Sequence, residues 1–338
     1  MPSLVEDGPC NILNMGLGKL IQAPVPEHYV NNRFAHLADP PPRPKRHGIP
    51  ALYALPSQRP YSLKIVLGVL KMNNFKATCA TVLALTISAS AGSAATCGNT
   101  GSGFDAWKAS FAKDAKKAGV KKKGLAALAG ATYATKTIAA DRNQKSFKYS
   151  LEKFMKVRGS TTIISQGRKK KAKNAAFFNS LEKQYGVPAG VILAIHGMET
   201  GFGGFMGDSA VVSAITTLTY DCRRSDFFKP HAIGALKLVD QGAITESTKG
   251  ARHGELGHTQ FLPGNALKYG VDANGDGRVD FYNVTDALAS TANFLRGKGW
   301  KAGKGYQEGQ PNFKAIQAWN AAGVYQKSIA IMGAKIDG

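Results

Sequence analysis

Apolar positions recur at helical spacing along most of the chain beyond residue 100. Phe104, Trp107 and Phe111 stand three and four apart among lysines, which predicts an amphipathic helix between Gly103 and Gly119. An Ala-rich run after Lys121-Lys122-Lys123 predicts a second helix over 124–129. Phe147, Leu151 and Phe154 mark another, and Phe177, Leu181 and Tyr185 one that leads into the strongest pattern of all. That pattern is residues 185–203, YGVPAGVILAIHGMETGFG. Pro188 suits a first turn, where its missing N–H has no helical partner to lose. Val191, Ile192, Ile195 and Met198 follow at helical spacing, so one stripe of this helix must be buried. Further helices are predicted over 210–219, 231–242 and 285–297, with a last one over 314–336. Strand signals are scarce and confined to short stretches near 270–283, and no internal repeat is visible. The fold class is mainly α.

Glu199 falls on the buried stripe, four residues beyond Ile195 and seven beyond Ile192. Gly197, Gly201, Gly203 and Gly204 surround it and let chain or ligand approach closely. A carboxylate on an apolar face beside such an open end is expected to hold its proton tightly, because desolvation disfavours the charged form. That environment suits a general acid near neutral pH. The bland alternative is a glutamate that snorkels to water from the last turn. His196 lies off the stripe and is expected to be a partly buried structural histidine. Asp208, the next acid along, sits in a Gly-flanked loop and is expected to cap the following helix.

Charge and address change the picture of the partner. The formal charge is +22, which implies a polyanion or an anionic surface. From Met72 the chain reads MNNFKATCATVLALTISASAGSAATCGNT. A basic start at Lys76, an apolar run over 77–87 and small residues at Ser93-Ala94-Ala95 make residues 72–95 a secretory signal, cut before Thr96. The apolar run is too short for a comfortable membrane span. Residues 1–71 are Pro-rich and aperiodic, as expected of a mis-set start or a disordered extension. After residue 95 there remain 35 Lys/Arg against 18 Asp/Glu, so the basic character belongs to the exported part. Arg168–Lys173 is its densest cluster, either a solvated helix face or an attraction for an anionic polymer. Two cysteines remain as well, Cys97 and Cys222. An isolated pair in an oxidising compartment usually bonds. The alternative, a lipid on Cys97, fits poorly with Thr96 just before it.

Residues 272–283, DANGDGRVDFYN, match the first nine positions of an EF-hand calcium loop. Asp272, Asn274, Asp276 and Asp280 supply oxygen side chains, Gly277 takes the sharp turn and Arg278 offers its carbonyl. The last position is Asn283 rather than a bidentate Glu, and Asp286 is placed to supply the missing carboxylate. A loop that stays without metal is the alternative. No second EF-hand accompanies it, so the expectation is a static clip holding Ca2+ or Na+, not a sensor.

Taken in order, these segments resemble the lytic murein transglycosylases of the membrane-bound type B family. The resemblance runs over about 104–335. It is carried by DRNQKSF at 141–147, the 185–203 segment, MGDSAVVSAITTLTYDCRRSDFF at 206–228, GELGHTQFLP at 254–263, the 271–300 stretch around the metal loop, and WNAAGVY at 319–325. It implies a lysozyme-like helical core, a small EF-hand-type loop subdomain and an α-domain built from both chain ends. The implied division is an N-terminal α-domain over 96–185, a catalytic core over 186–300 with the metal loop at 272–286, and a C-terminal segment over 301–338.

The same resemblance implies that Glu199 alone acts as acid and then base, without a cofactor. It would cleave the bond between N-acetylmuramic acid and N-acetylglucosamine and close a 1,6-anhydro ring. Arg223 and Arg224 would hold glycan carboxylates, a task that suits bidentate Arg, or else form ion pairs with Asp221 or Asp226. Gln260 would bond a sugar acetamido group, or else tie loop backbone together. Asn320 and Tyr325 would look into the cleft near the acid. Asp286 sits where the family places its replacement carboxylate; a helix cap is its other reading. The chain departs from the family at Ala251, Arg252, His258 and Gly264-Asn265, so a cleft contact there is lost or replaced.

The expected protein is therefore an exported, periplasmic enzyme acting on peptidoglycan strands, a monomer, with membrane anchoring not favoured. No separate wall-binding module follows, so targeting is expected to come from the cleft, the basic surface or a partner such as a wall-synthesis or secretion complex. A muramidase on the same fold and a non-catalytic wall-binding scaffold are the alternatives. Nucleic acid is set aside, because no recognition fold is visible and the signal points outward.

Overall fold

The computed structural model describes residues 96–143 and 148–338. The signal over 72–95, the stretch 1–71 and Phe147 lie outside the described residues. Within them the chain is mainly helical, as its periodicity predicts. The first helices are α1 (Phe104–Lys117), α2 (Lys122–Gly130) and α3 (Thr135–Arg142). Phe104, Trp107 and Phe111 form the buried face of α1, with Trp107 stacked on Phe111 at 4.7 Å between ring centroids. Helices α4 (Leu151–Val157), α5 (Ser160–Lys173) and α6 (Ala175–Tyr185) follow and lead into α7 (Ala189–Thr200). Beyond it come α8 (Val211–Tyr220), α9 (Ser225–Gln241), α10 (Pro263–Tyr269) and α11 (Val284–Gly297). The last two are α12 (Phe313–Trp319) and α13 (Gly323–Asp337).

The stretch 96–185 sends its helices to two places. Helices α1 and α2 pack on α8 and α9, whereas α4 and α5 lie against α13, the last helix of the chain. Arg168 and Lys171 of the basic cluster belong to that second contact. Arg168 donates to the carbonyl of Lys335, and Lys171 pairs with Asp337 at 2.9 Å. The cluster is thus partly a clasp on the C-terminal helix and only partly a solvated face.

Helix α7 departs from the expected single stripe: all of its residues are buried. A helix apolar all round is buried all round, and α5, α6, α11 and α13 pack on it. Glycine makes the tightest of these contacts. A Cβ on Gly190 would lie 2.1 Å from the carbonyl oxygen of Gly333, so α7 and α13 cross nearly backbone to backbone. The Gly190 N–H, an orphan donor in the first turn, is taken by Asp337 Oδ1 at 2.8 Å. Pro188 is the N-cap residue itself, with φ −66° and ψ 150°, one position before the first turn.

Three other expectations need correction. The single helix over 314–336 is two, because Asn320 leaves helical geometry (φ −143°, ψ 132°) and its Oδ1 accepts from the Ala322 N–H at 2.9 Å, an Asx-type turn. Helix α9 starts at Ser225, upstream of the predicted 231, and carries Pro230 inside it. The fully buried Phe228 anchors that added turn. The strands among the described residues are not near 270–283: Ser209–Ala210 pairs antiparallel with Lys249–Gly250. Two-residue strands leave no alternation to read; this pair is set by close packing, since a Cβ on Gly250 would meet the Glu255 carbonyl at 2.1 Å.

Candidate active site

The C-terminal end of α7 carries Glu199, whose residue surface is 8% exposed. Two donors from the far end of the chain converge on its Oε1: Trp319 Nε1–H and Tyr325 O–H, each at 2.9 Å. Trp319 ends α12 and Tyr325 lies in the first turn of α13, so the break at 320–322 brings both onto one oxygen. Asn320 builds that break. Besides its Oδ1 contact, its carbonyl accepts from Gln326 Nε2 at 2.7 Å, and it is buried.

The indole of Trp319 is held edge-to-face by Phe261 at 5.2 Å and Phe294 at 5.1 Å, the arrangement aromatic quadrupoles prefer. Nothing in the spacing of Trp319 marks it as more than core, although it opens the WNAAGVY segment.

Beyond Glu199 the chain turns sharply. Gly201 adopts φ 59° as the C-cap, and Phe202 takes the unusual value of 64° for a side-chain-bearing residue. Thr200 ties the turn down: its hydroxyl donates to the His258 carbonyl at 2.7 Å and accepts from the Gly203 N–H at 2.9 Å. His196 is fully buried rather than partly so, and its Nε2 meets His258 Nδ1 at 3.1 Å. Burial, with His258 and Lys170 adding to it, pushes the His196 imidazole down to about 3. It is therefore neutral at physiological pH. The departure at His258 thus gives His196 a partner, a pairing invisible at the level of spacing. Lys170 stands 5.2 Å from the centroid of Phe202.

Gln260 also has a left-handed backbone, at φ 55°. Its Nε2 donates to the carbonyls of Gly257 at 2.7 Å and Met206 at 3.3 Å. In this structure that amide nitrogen ties two loops together. Arg223 and Arg224 both pair with the buried carboxylate of Asp141, not with Asp221 or Asp226. Asp221 instead accepts from Arg142 at 2.5 Å and from the Arg223 backbone N–H at 3.0 Å. Burial pushes the Arg224 guanidinium down to about 10, against the opposing pull of Glu255. Asp208 caps nothing: α8 begins after Ala210, and Asp208 lies on an exposed loop 3.6 Å from Arg252. Cys97 and Cys222 are joined by a disulfide with Cα atoms 4.9 Å apart, alongside a Gly98 N–H to Tyr220 carbonyl bond of 3.0 Å.

In the 272–286 loop each carboxylate accepts from loop amides. Asp272 takes the N–H groups of Gly275 and Gly277, both at 2.8 Å, Asp276 that of Arg278, and Asp280 that of Tyr282. Gly277 has φ 84°, the sharp turn expected of it. Asp286 is fully buried and holds the loop from below. Its Oδ1 accepts from Ala273 and Asn274, its Oδ2 from Asp280. The cap of α11 is Asn283, which replaces the helix-cap reading of Asp286. Among the described residues no three His, Cys, Asp or Glu are gathered tightly enough to hold a metal ion. The donor set, all oxygen, fits a hard cation in chemistry.

With this geometry in hand, comparison with known proteins identifies the class. The transglycosylase SLT domain family matches residues 103–309, well over half of the chain. The chain belongs to that family. It is 34% identical over 121 residues to the membrane-bound lytic murein transglycosylase B of Escherichia coli (strain K12), a match covering 35% of this chain and 34% of that protein. The chain thus spans about a third of the length of the curated relative it matches. Among solved structures it is similar to SltB3 from Pseudomonas aeruginosa in complex with NAG-anhNAM-pentapeptide. That likeness has a TM-score of 0.63 and 26% identity, covering 70% of this chain and 80% of that one. It also shares the fold of the Escherichia coli lytic transglycosylase Slt35 in complex with calcium, with a TM-score of 0.61, 19% identity and coverage of 72% and 96%.

Proposed function

We propose that this chain is a lytic transglycosylase that cleaves the β-1,4 bond between N-acetylmuramic acid and N-acetylglucosamine in peptidoglycan. The observation that carries the reading is Glu199: a buried carboxylate at the end of a wholly buried helix, held on one oxygen by Trp319 and Tyr325. Two-carboxylate glycosidases place a second acid across the scissile bond. Here the next acid along the chain, Asp208, lies on an exposed loop against Arg252, and the two named partners of Glu199 are neutral donors. On this reading one group serves twice. Protonated Glu199 gives its proton to the glycosidic oxygen as the C1–O bond breaks. The resulting carboxylate takes the proton of the muramyl 6-hydroxyl, whose oxygen closes on C1. No water is consumed and no cofactor enters.

The remaining assignments follow from this reading. The three segments 96–185, 186–300 and 301–338 serve as α-domain, catalytic core and closing segment. Asn320 shapes the turn that delivers Tyr325, and Gln260 ties the loop whose Phe261 packs on Trp319. Arg223 and Arg224, anchored on Asp141, fix the 221–224 turn beside the disulfide and bring positive charge to carboxylate-bearing glycan. The 272–286 loop would hold calcium through Asp272, Asn274, Asp276, Asp280 and the Arg278 carbonyl, with Asp286 anchoring the loop, and an ion there would stiffen it. The protein works as a monomer in the periplasm, an oxidising compartment that suits the disulfide. No helix among the described residues is long and apolar enough to cross a membrane.

Mass spectrometry of soluble products from purified peptidoglycan tests the reaction. Muropeptides one water lighter than hydrolysis products, ending in 1,6-anhydromuramic acid, are expected. Reducing ends would mean that water replaces the 6-hydroxyl, and intact glycan bound without release would mean a scaffold.

A further inference from the structure

The two hydrogen bonds on Glu199 are not equivalent. A carboxylate oxygen offers two lone-pair sites, and Trp319 and Tyr325 both bond to Oε1. An oxygen so engaged is a poor seat for the acidic proton, which belongs on Oε2. Of the two donors, the Tyr325 hydroxyl can rotate and can accept as well as donate. The Trp319 indole N–H can only donate. It is also immobilised: Trp319 is buried, at 3% exposure, and Phe261 and Phe294 hold its ring from two sides at near-perpendicular angles of 85° and 88°. Phe261 comes from the loop of Gln260 and Phe294 from α11, so two separate elements aim one N–H at one oxygen.

We propose that Trp319 is a positioning residue that keeps Oε1 of Glu199 an acceptor throughout the cycle, so that both proton transfers pass through Oε2. The inference rests on the transglycosylase reading and deepens it. In the first transfer the Oε2–H bond breaks, the proton passes to the glycosidic oxygen, and the C1–O electron pair leaves with that oxygen. In the second, the 6-hydroxyl proton passes to Oε2 while its oxygen pair forms the new bond to C1. The site returns to its starting state with the proton on the oxygen it left. A carboxylate free to exchange its two oxygens would spend part of each cycle with the proton on the wrong one.

Trp319→Phe keeps an aromatic ring between Phe261 and Phe294 and removes the N–H. Replacement of Trp319 by 3-benzothienylalanine removes the same N–H with the ring shape intact, and serves if the phenylalanine variant fails to fold. Release of anhydromuropeptides from purified peptidoglycan is measured as kcat and KM across pH. The expected result is a fall in kcat of about tenfold, the worth of one hydrogen bond to a charged group, with KM unchanged. The alkaline limb of the kcat profile moves to higher pH, because the lost donor had favoured the charged form of the acid. A role confined to packing would leave that limb in place. A folded variant with wild-type kcat and an unmoved limb, or one whose loss lies wholly in KM, overturns the proposal. Wild-type protein that releases no anhydro products would instead overturn the reading on which it rests.

Discussion

Replacing Glu199 by Gln separates the chemistry of the acid from its place in the core. The amide must orient itself in one way. Trp319 and Tyr325 both donate to the Oε1 position at 2.9 Å, so the carbonyl oxygen of Gln goes there and the NH2 takes the position of Oε2. An amide in that place can neither give the glycosidic oxygen a proton nor take one from the 6-hydroxyl. General acid–base catalysis by one positioned group contributes about 10²–10⁴-fold. Because the same group serves both steps, the loss is expected to reach at least about 10⁴-fold in kcat. Stability moves little. In the starting state of the proposed cycle Glu199 holds its proton, so the hydrogen bonds on Oε1 are neutral in both proteins and the amide carbonyl accepts them in its place, a change on the order of 1 kcal/mol. The melting temperature therefore stays within about 5 °C of wild type. The assay is release of anhydromuropeptides, with thermal melting and sedimentation with insoluble peptidoglycan as controls for fold and binding. A folded Glu199→Gln protein that retains more than about a hundredth of wild-type turnover would refute the assignment.

Calcium added to chelator-treated protein is expected to raise the melting temperature by several degrees, as a ligand binding only the folded state must, and a melting curve indifferent to both calcium and chelator rejects the metal site. His196 titrates near 3 in the fold against an ordinary 6.5, so between those values the unfolded chain binds the extra proton and stability falls as pH falls. From pH 7 to 5 the urea-derived stability should drop by about 2 kcal/mol for this group, and His196→Leu should remove that part of the slope; an equal slope in both proteins would refute it. Gly190→Ala should destabilise by about 1–3 kcal/mol, since its Cβ would stand 2.1 Å from the Gly333 carbonyl. Gly333→Ala, whose nearest contacts are Val191 atoms at 3.2 Å, should cost less, and the reverse order in denaturant unfolding would show that α7 and α13 do not cross at Gly190.

What the sequence makes legible here is what period and order can carry. Helix-spaced apolar residues mark α1 and α7, and the position of Glu199 within 185–203 singles it out as the candidate acid. The wholly buried state of α7 is harder to read, since a stripe and a full apolar girdle look alike until the partners of the other faces are known. Contacts that depend on distant segments leave no local signal at all. Asp141 lies some eighty residues before the arginines it pairs with, and nothing in a DR dipeptide distinguishes a buried anchor from a solvated acid. The left-handed backbone of Gln260 is equally silent, because a side-chain-bearing residue gives no warning of a positive φ as glycine does.

Trp319 shows why this matters for function. An aromatic residue near the end of a predicted helix reads first as core, and here it is core: buried, with Phe261 and Phe294 against its ring. Its proposed function lies in one edge atom of that ring, which the packing of Phe261 and Phe294 aims at Glu199. Residues that carry the chemistry are found by their type and spacing. Residues that aim them are ordinary packing residues whose role is fixed by what stands at the other end of a hydrogen bond.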